Sequence, residues 1–131
     1  MITADDVEGF LDRLDGGTLQ SRAAGEGLWL VRTPDGLEVA VNAVAPLLVL
    51  RINVMRLPKD AKKLAALCRK LLEFNAKDLT HGAYGIEGED VVLTDTLALE
   101  RTDFQEFEAS FDTMTLALAQ HFGALAPYRE N

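Results

Sequence analysis

The sequence predicts an α+β fold: a five-stranded antiparallel sheet with three helices, in the order α-β-β-β-α-β-β-α. Three observations predict it. Residues 28–55 carry apolar residues at a spacing of two around a Pro34-Asp35-Gly36 turn, the pattern of paired strands. Two longer segments, one after Pro58 and one after Thr102, carry apolar residues at a spacing of three and four, the pattern of helices with one buried face. The chain has 131 residues and 48% hydrophobic composition, enough for one core, and no linker or repeat divides it, so residues 1–131 are expected to form a single domain.

The elements follow in order. Thr3 is a suitable N-cap, and Asp5 and Asp6 favour the first turn of a helix through its dipole. Val7, Phe10, Leu11 and Leu14 line one face of that helix, and Gly16-Gly17 ends it. Strands are predicted over Leu28–Thr33, Leu37–Ala43 and Leu47–Met55. In the third, Leu48, Leu50, Ile52 and Val54 share a side. The first is apolar on both sides, Leu28 and Leu30 against Trp29 and Val31, so either the fold or a partner must cover part of the second sheet face.

The second helix follows Leu57-Pro58, with Asp60 near its start. Leu64, Leu67, Cys68, Leu71 and Leu72 lie within one arc, while Lys59, Lys62, Lys63, Arg69 and Lys70 lie on the opposite arc. Asn75 is expected to help end this helix. Ala83–Ile86 and Val91–Thr94 then flank a Glu87-Gly88-Glu89-Asp90 turn, and the second of these strands can run on to Leu99. Thr102 with Gln105, or Asp103 with Glu106, opens a final helix whose stripe is Phe104, Phe107, Phe111, Met114, Leu118, His121 and Leu125; Pro127 stops it. About 22 residues of helix span about 33 Å.

The formal net charge is -8, which argues against a nucleic-acid partner, since phosphate contacts need clustered positive charge. The distribution is uneven: residues 47–81 hold eight Lys/Arg and three Asp/Glu, whereas residues 82–131 hold two and ten. A basic middle in an acidic chain suggests pairing within the fold or across a dimer, against the plainer reading of solvated faces. A single cysteine, Cys68, cannot form an internal disulfide and suits a reducing cytosol. With no run of about 20 apolar residues, no integral membrane contact is expected, and the location expected is cytoplasmic.

Reactive clusters are sparse. His81 and His121 stand about forty residues apart with no second ligand at helical spacing. His121 falls in an apolar stripe and reads as a packed histidine, and His81 reads as a turn residue. Cys68 lies on an apolar helix face and reads as a small hydrophobe. Asp90, Asp95 and Glu100 do not converge as a metal site, because Asp95 points to the other face of the strand. No catalytic residue, cofactor or metal is therefore assigned.

The helix-to-strand passage Leu71-Leu72-Glu73-Phe74-Asn75, with Gly82-Ala83-Tyr84-Gly85-Ile86 and Val91-Val92-Leu93-Thr94-Asp95-Thr96-Leu97, resembles the YbjN-type and Tir-chaperone-like families of the bacterial type III secretion chaperone fold. A related bacterial domain family of the same fold fits these residues equally. The resemblance extends over nearly the whole chain in topology and about thirty residues in wording. It implies a dimer that buries the second helix and a nearby strand, and apolar patches on the sheet and first helix for a peptide-like client.

The function expected is thus a non-enzymatic protein-binding module, chaperone-like and homodimeric. Leu64, Leu67 and Leu71 are the expected dimer contacts. Val7, Phe10, Leu11, Trp29 and Val31 are the expected client patch, with Trp29 as an aromatic anchor. A second reading is a signalling or stress-response domain bound to one specific protein. A third is a small enzyme using His81 with Asp78 or Tyr84.

Overall fold

The computed structural model describes residues 3–130. Helix α1 (Ala4–Arg13) opens with a reciprocal cap: the Thr3 hydroxyl accepts from the Asp6 N–H, and the Asp6 carboxylate accepts the Thr3 N–H at 2.8 Å. A 3₁₀ turn over Leu14–Gly17 closes it. Strands β1 (Gln20–Gly25), β2 (Leu28–Arg32), β3 (Glu38–Val44) and β4 (Leu47–Arg56) follow, then α2 (Ala61–Lys77), β5 (Ala83–Glu87), β6 (Asp90–Ala98) and α3 (Phe104–Leu125). The sheet is antiparallel throughout, with strand order β1-β2-β3-β4-β6-β5.

Three helices are as expected, but the sheet has six strands rather than five. The additional strand is β1, whose sequence Gln-Ser-Arg-Ala-Ala-Gly has no apolar alternation and whose six residues are all exposed. It is an edge strand held by its ladder to β2, so burial leaves no imprint on its sequence.

The core lies between one sheet face and the helices. Trp29, Val31, Val39, Val41, Leu48, Leu50, Ile52, Val91 and Leu93 meet Val7 and Leu11 of α1, Leu67 and Leu71 of α2, and Phe107, Phe111, Met114, Leu118 and Leu125 of α3. Burying a Leu or Phe side chain fully stabilises by ~1.5–3 kcal/mol, so these contacts dominate the fold. In β4 a bulge between Asn53 and Met55 shifts the register against β6. The bulge makes Met55, rather than Val54, the buried continuation of the Leu48-Leu50-Ile52 row.

Asp103 caps α3 by accepting from the Glu106 N–H at 2.8 Å, whereas Thr102 turns back to the Ala98 carbonyl. Helix α3 has the 22 residues expected of it and ends in a 3₁₀ turn that contains Pro127. No helix among the described residues is long and apolar enough to cross a membrane.

Candidate functional site

Two surfaces stand out: the sheet face opposite the helices, and the passage from α2 into β5. The opposite face carries Leu28 and Leu30 of β2, Ala40 of β3, Val49 of β4 and Val92 of β6. None of these belongs to the helix-packed core, and all but Val92 remain partly accessible. The sequence demanded a cover for this face. Among the described residues these side chains lie outside the helix-packed core, and Arg51, which pairs with Glu87 at 2.8 Å, stands between Val49 and the buried Val92. Beyond it Val44 and Leu47 lie exposed beside the β3–β4 turn.

At the second surface, α2 does not stop at Asn75 but continues to Lys77, with Asp78 as its C-cap. Asn75 has a different task. Its Oδ1 accepts the Tyr84 N–H at 2.7 Å, and its Nδ2 donates to the Tyr84 carbonyl at 3.1 Å. A side-chain amide thereby substitutes for one residue of a neighbouring strand on the free edge of β5. Gly82 makes the preceding turn possible: its φ is +84°, and a Cβ there would sit 2.9 Å from the Thr94 carbonyl oxygen.

Beneath Asn75, His121 of α3 lies flat against Phe74, with ring centroids 3.7 Å apart and planes 2° from parallel. Its Nδ1 lies 2.7 Å from the Tyr84 hydroxyl and its Nε2 2.9 Å from an Asp78 carboxylate oxygen. An ionised carboxylate only accepts, so Nε2 carries the proton; in the neutral ring Nδ1 then accepts from the Tyr84 hydroxyl. Burial, with a smaller effect of the Asp78 charge, pushes the Tyr84 hydroxyl well above the usual phenol range. Both acceptors of this network are satisfied by structure, and it ties the end of α2, strand β5 and α3 together.

The third reading needs His81 beside Asp78 or Tyr84, but both of those groups belong to His121. His81 instead lies 3.8 Å from Asp95, whose carboxylate accepts the Ser110 hydroxyl at 2.6 Å. The acid is in the middle of that trio, so the Ser110 hydroxyl is bonded to Asp95 and not to His81. Among the described residues no group of three His, Cys, Asp or Glu side chains is arranged to hold a metal.

The residues expected at interfaces are placed differently from expectation. Val7, Leu11, Trp29 and Val31 are core residues, and Trp29 at 6% exposure lies on the covered sheet face. Phe10, half-buried, packs its ring 5.7 Å from that of Phe107. A surface patch cannot be built from these five. Of the expected dimer contacts, Leu67 is fully buried and Leu71 nearly so, and only Leu64 is partly accessible.

The exposed apolar groups next to them are Leu72 at 68% and Ile86 at 52%. With Cys68, Leu71, Tyr84 and Gly85 these line a shallow groove of about 200 Å³ between α2 and β5. Periodicity places Leu72 on the apolar arc of α2, but that arc is wider than the strip of helix the core covers. A surplus of leucine over the width needed for packing is the signal that marks it.

The profile of the CesT_Tir_1 family matches residues 2–131. No curated protein matches the chain by sequence. Solved structures share its fold, among them the following three. One is a chain of the heterodimeric complex ExoU–SpcU from the type III secretion system of Pseudomonas aeruginosa, at TM-score 0.71 and 12% identity, covering 95% of this chain and 98% of that one. A chain of the ExsC–ExsE complex superimposes at TM-score 0.63 and 17% identity, covering 92% and 94%. YbjN from E. coli superimposes at TM-score 0.65 and 12% identity, covering 95% and 96%.

Proposed function

Because the chain belongs to the CesT_Tir_1 family, a type III chaperone family, we propose that it is a non-enzymatic, chaperone-like protein-binding module that acts in the cytoplasm as a homodimer. Residues 2–131, the matched span, are taken as one domain. The observation that carries the reading is the partly accessible apolar stripe of Leu28, Leu30, Ala40 and Val49 on a sheet face whose residues lie outside the helix-packed core. Apolar area of that kind is retained at a cost in solubility and favours a protein or peptide client. Two of the structural neighbours were solved as complexes with a second protein, which supports the same reading.

Dimer formation is assigned to the groove between α2 and β5. Leu72 and Ile86 give it exposed apolar area, and Lys63 lies on the far side of α2 from Leu72 by helical spacing. That spacing keeps Lys63 from facing its symmetry copy across a two-fold axis.

Client binding is tested by pull-down from source lysate with the native protein and with Leu30→Asp and Val49→Asp, each first checked for an unchanged melting curve. Loss of the recovered proteins in both variants supports the reading, and undiminished recovery overturns it. Recovery of one folded protein, and of no unfolded client, would favour the signalling alternative.

A further inference from the structure

Beyond the two apolar surfaces, the N-terminal end of α2 forms a charged cleft of about 1080 Å³. Three separate parts of the chain place cations around it: Arg56 and Lys59 before the helix, Lys63 in its first turn, and Arg129 after α3. Two carboxylates also line it, and both are engaged. Glu89 pairs with Arg56 at 2.7 Å, and Glu130 accepts the Lys59 backbone N–H at 2.7 Å.

Among the described residues no carboxylate lies within 4 Å of the Lys59, Lys63 or Arg129 side-chain nitrogens. Arg129 is the more telling of the three. Its guanidinium rests 4.2 Å from the centre of the Phe122 ring, yet its Nε is buried with no hydrogen-bond partner. Buried N–H groups without acceptors are rare in folded proteins, and each one calls for an explanation. Glu130 already demonstrates that a carboxylate is accommodated here, on the main chain just ahead of α2.

We propose that this cleft binds an acidic polypeptide segment, its carboxylates meeting Lys59, Lys63 and Arg129. The spread of the cations over three chain segments suits a string of acids better than one compact anion. Leu57, Pro58 and Leu64 supply an apolar floor between the charges, so the favoured segment alternates acidic with apolar side chains. In a chain of net charge -8 such a cleft is a local reversal of sign, which guides an acidic partner to one place. The assignment goes beyond the reading of the sheet face and holds whether or not that face binds a client.

Fluorescence anisotropy with a labelled peptide alternating glutamate and leucine, and with its glutamine counterpart, tests it. The acidic peptide binds and the glutamine peptide does not, and binding weakens as salt shortens the screening length. Lys63→Glu and Arg129→Gln each weaken it about tenfold, a typical effect of removing one partner of a charge pair in an interface. Lys77→Glu, at the far end of α2 and outside the cleft, leaves it unchanged. Equal loss in Lys77→Glu, full binding in Lys63→Glu and Arg129→Gln, or equal binding of the glutamine peptide overturns the site. Displacement of the peptide by equimolar inorganic phosphate also overturns it, in favour of a small-anion site.

Discussion

The Tyr84 hydroxyl and His121 Nδ1 lie 2.7 Å apart and join the edge strand β5 to α3, 37 residues further along the chain. The contact is buried, and the same imidazole holds Asp78 at 2.9 Å and stacks on Phe74. Removing one side of it leaves the other unsatisfied. Tyr84→Phe should therefore lower unfolding stability by about 1–3 kcal/mol in urea titration, although it preserves the ring. His121→Ala should cost more, because it also empties the space against Phe74.

Alkaline pH acts on the same hydroxyl. In the unfolded chain Tyr84 loses its proton from about pH 10, while burial in the folded chain holds it to higher pH. The folded state then binds more protons, so stability is complete below about pH 10 and falls as pH rises beyond it, by at most about 1.4 kcal/mol per pH unit from this group. Denaturation midpoints followed from neutral pH upward should decline less steeply in Tyr84→Phe than in the native protein. Parallel declines would refute the link.

Asn75 satisfies both backbone polar groups of Tyr84. Asn75→Ala removes both bonds and should cost about 1–3 kcal/mol, with faster hydrogen exchange at the Tyr84 amide. Asn75→Asp keeps an acceptor for the N–H but no donor for the carbonyl, so exchange at Tyr84 should remain slow while stability still falls.

Leu72 and Trp29 separate surface from core. Leu72→Asp and Ile86→Asp should leave the thermal midpoint of the monomer within a few degrees, and should convert a concentration-dependent dimer to monomer in sedimentation equilibrium. A native protein that remains monomeric at every concentration would remove the dimer. Trp29→Ala should cost about 3–5 kcal/mol, so any loss of partner binding in that variant reports unfolding.

Much of the architecture is legible in the sequence because burial is periodic. Five strands, three helices and their order follow from the alternation in β3 and β4, the apolar run of β2, the glycine-acid turn between β5 and β6, the stripes of α2 and α3, and caps such as Thr3 and Asp103. Strand β1 is not legible, since an exposed edge needs only backbone hydrogen bonds. Most of the residues expected at interfaces are buried within the chain for a related reason: periodicity reports that Trp29 and Leu67 face something apolar, but not whether the cover is the same chain or another. Asn75 illustrates the other limit. An amide near a helix end has several equivalent uses, and its partner Tyr84 is fixed only by the turn at Gly82.

The amide of Asn75 also makes the sheet a polar object. In an antiparallel ladder the outward-facing backbone groups of an edge strand recur at every second residue. On β5, a strand of only five residues, Tyr84 is one such position and is already occupied, which leaves no continuous template for another strand. The opposite border, β1, has no such plug among the side-chain hydrogen bonds of the described residues. The β5 border is thereby protected from the edge-to-edge strand pairing that turns open sheets into fibres.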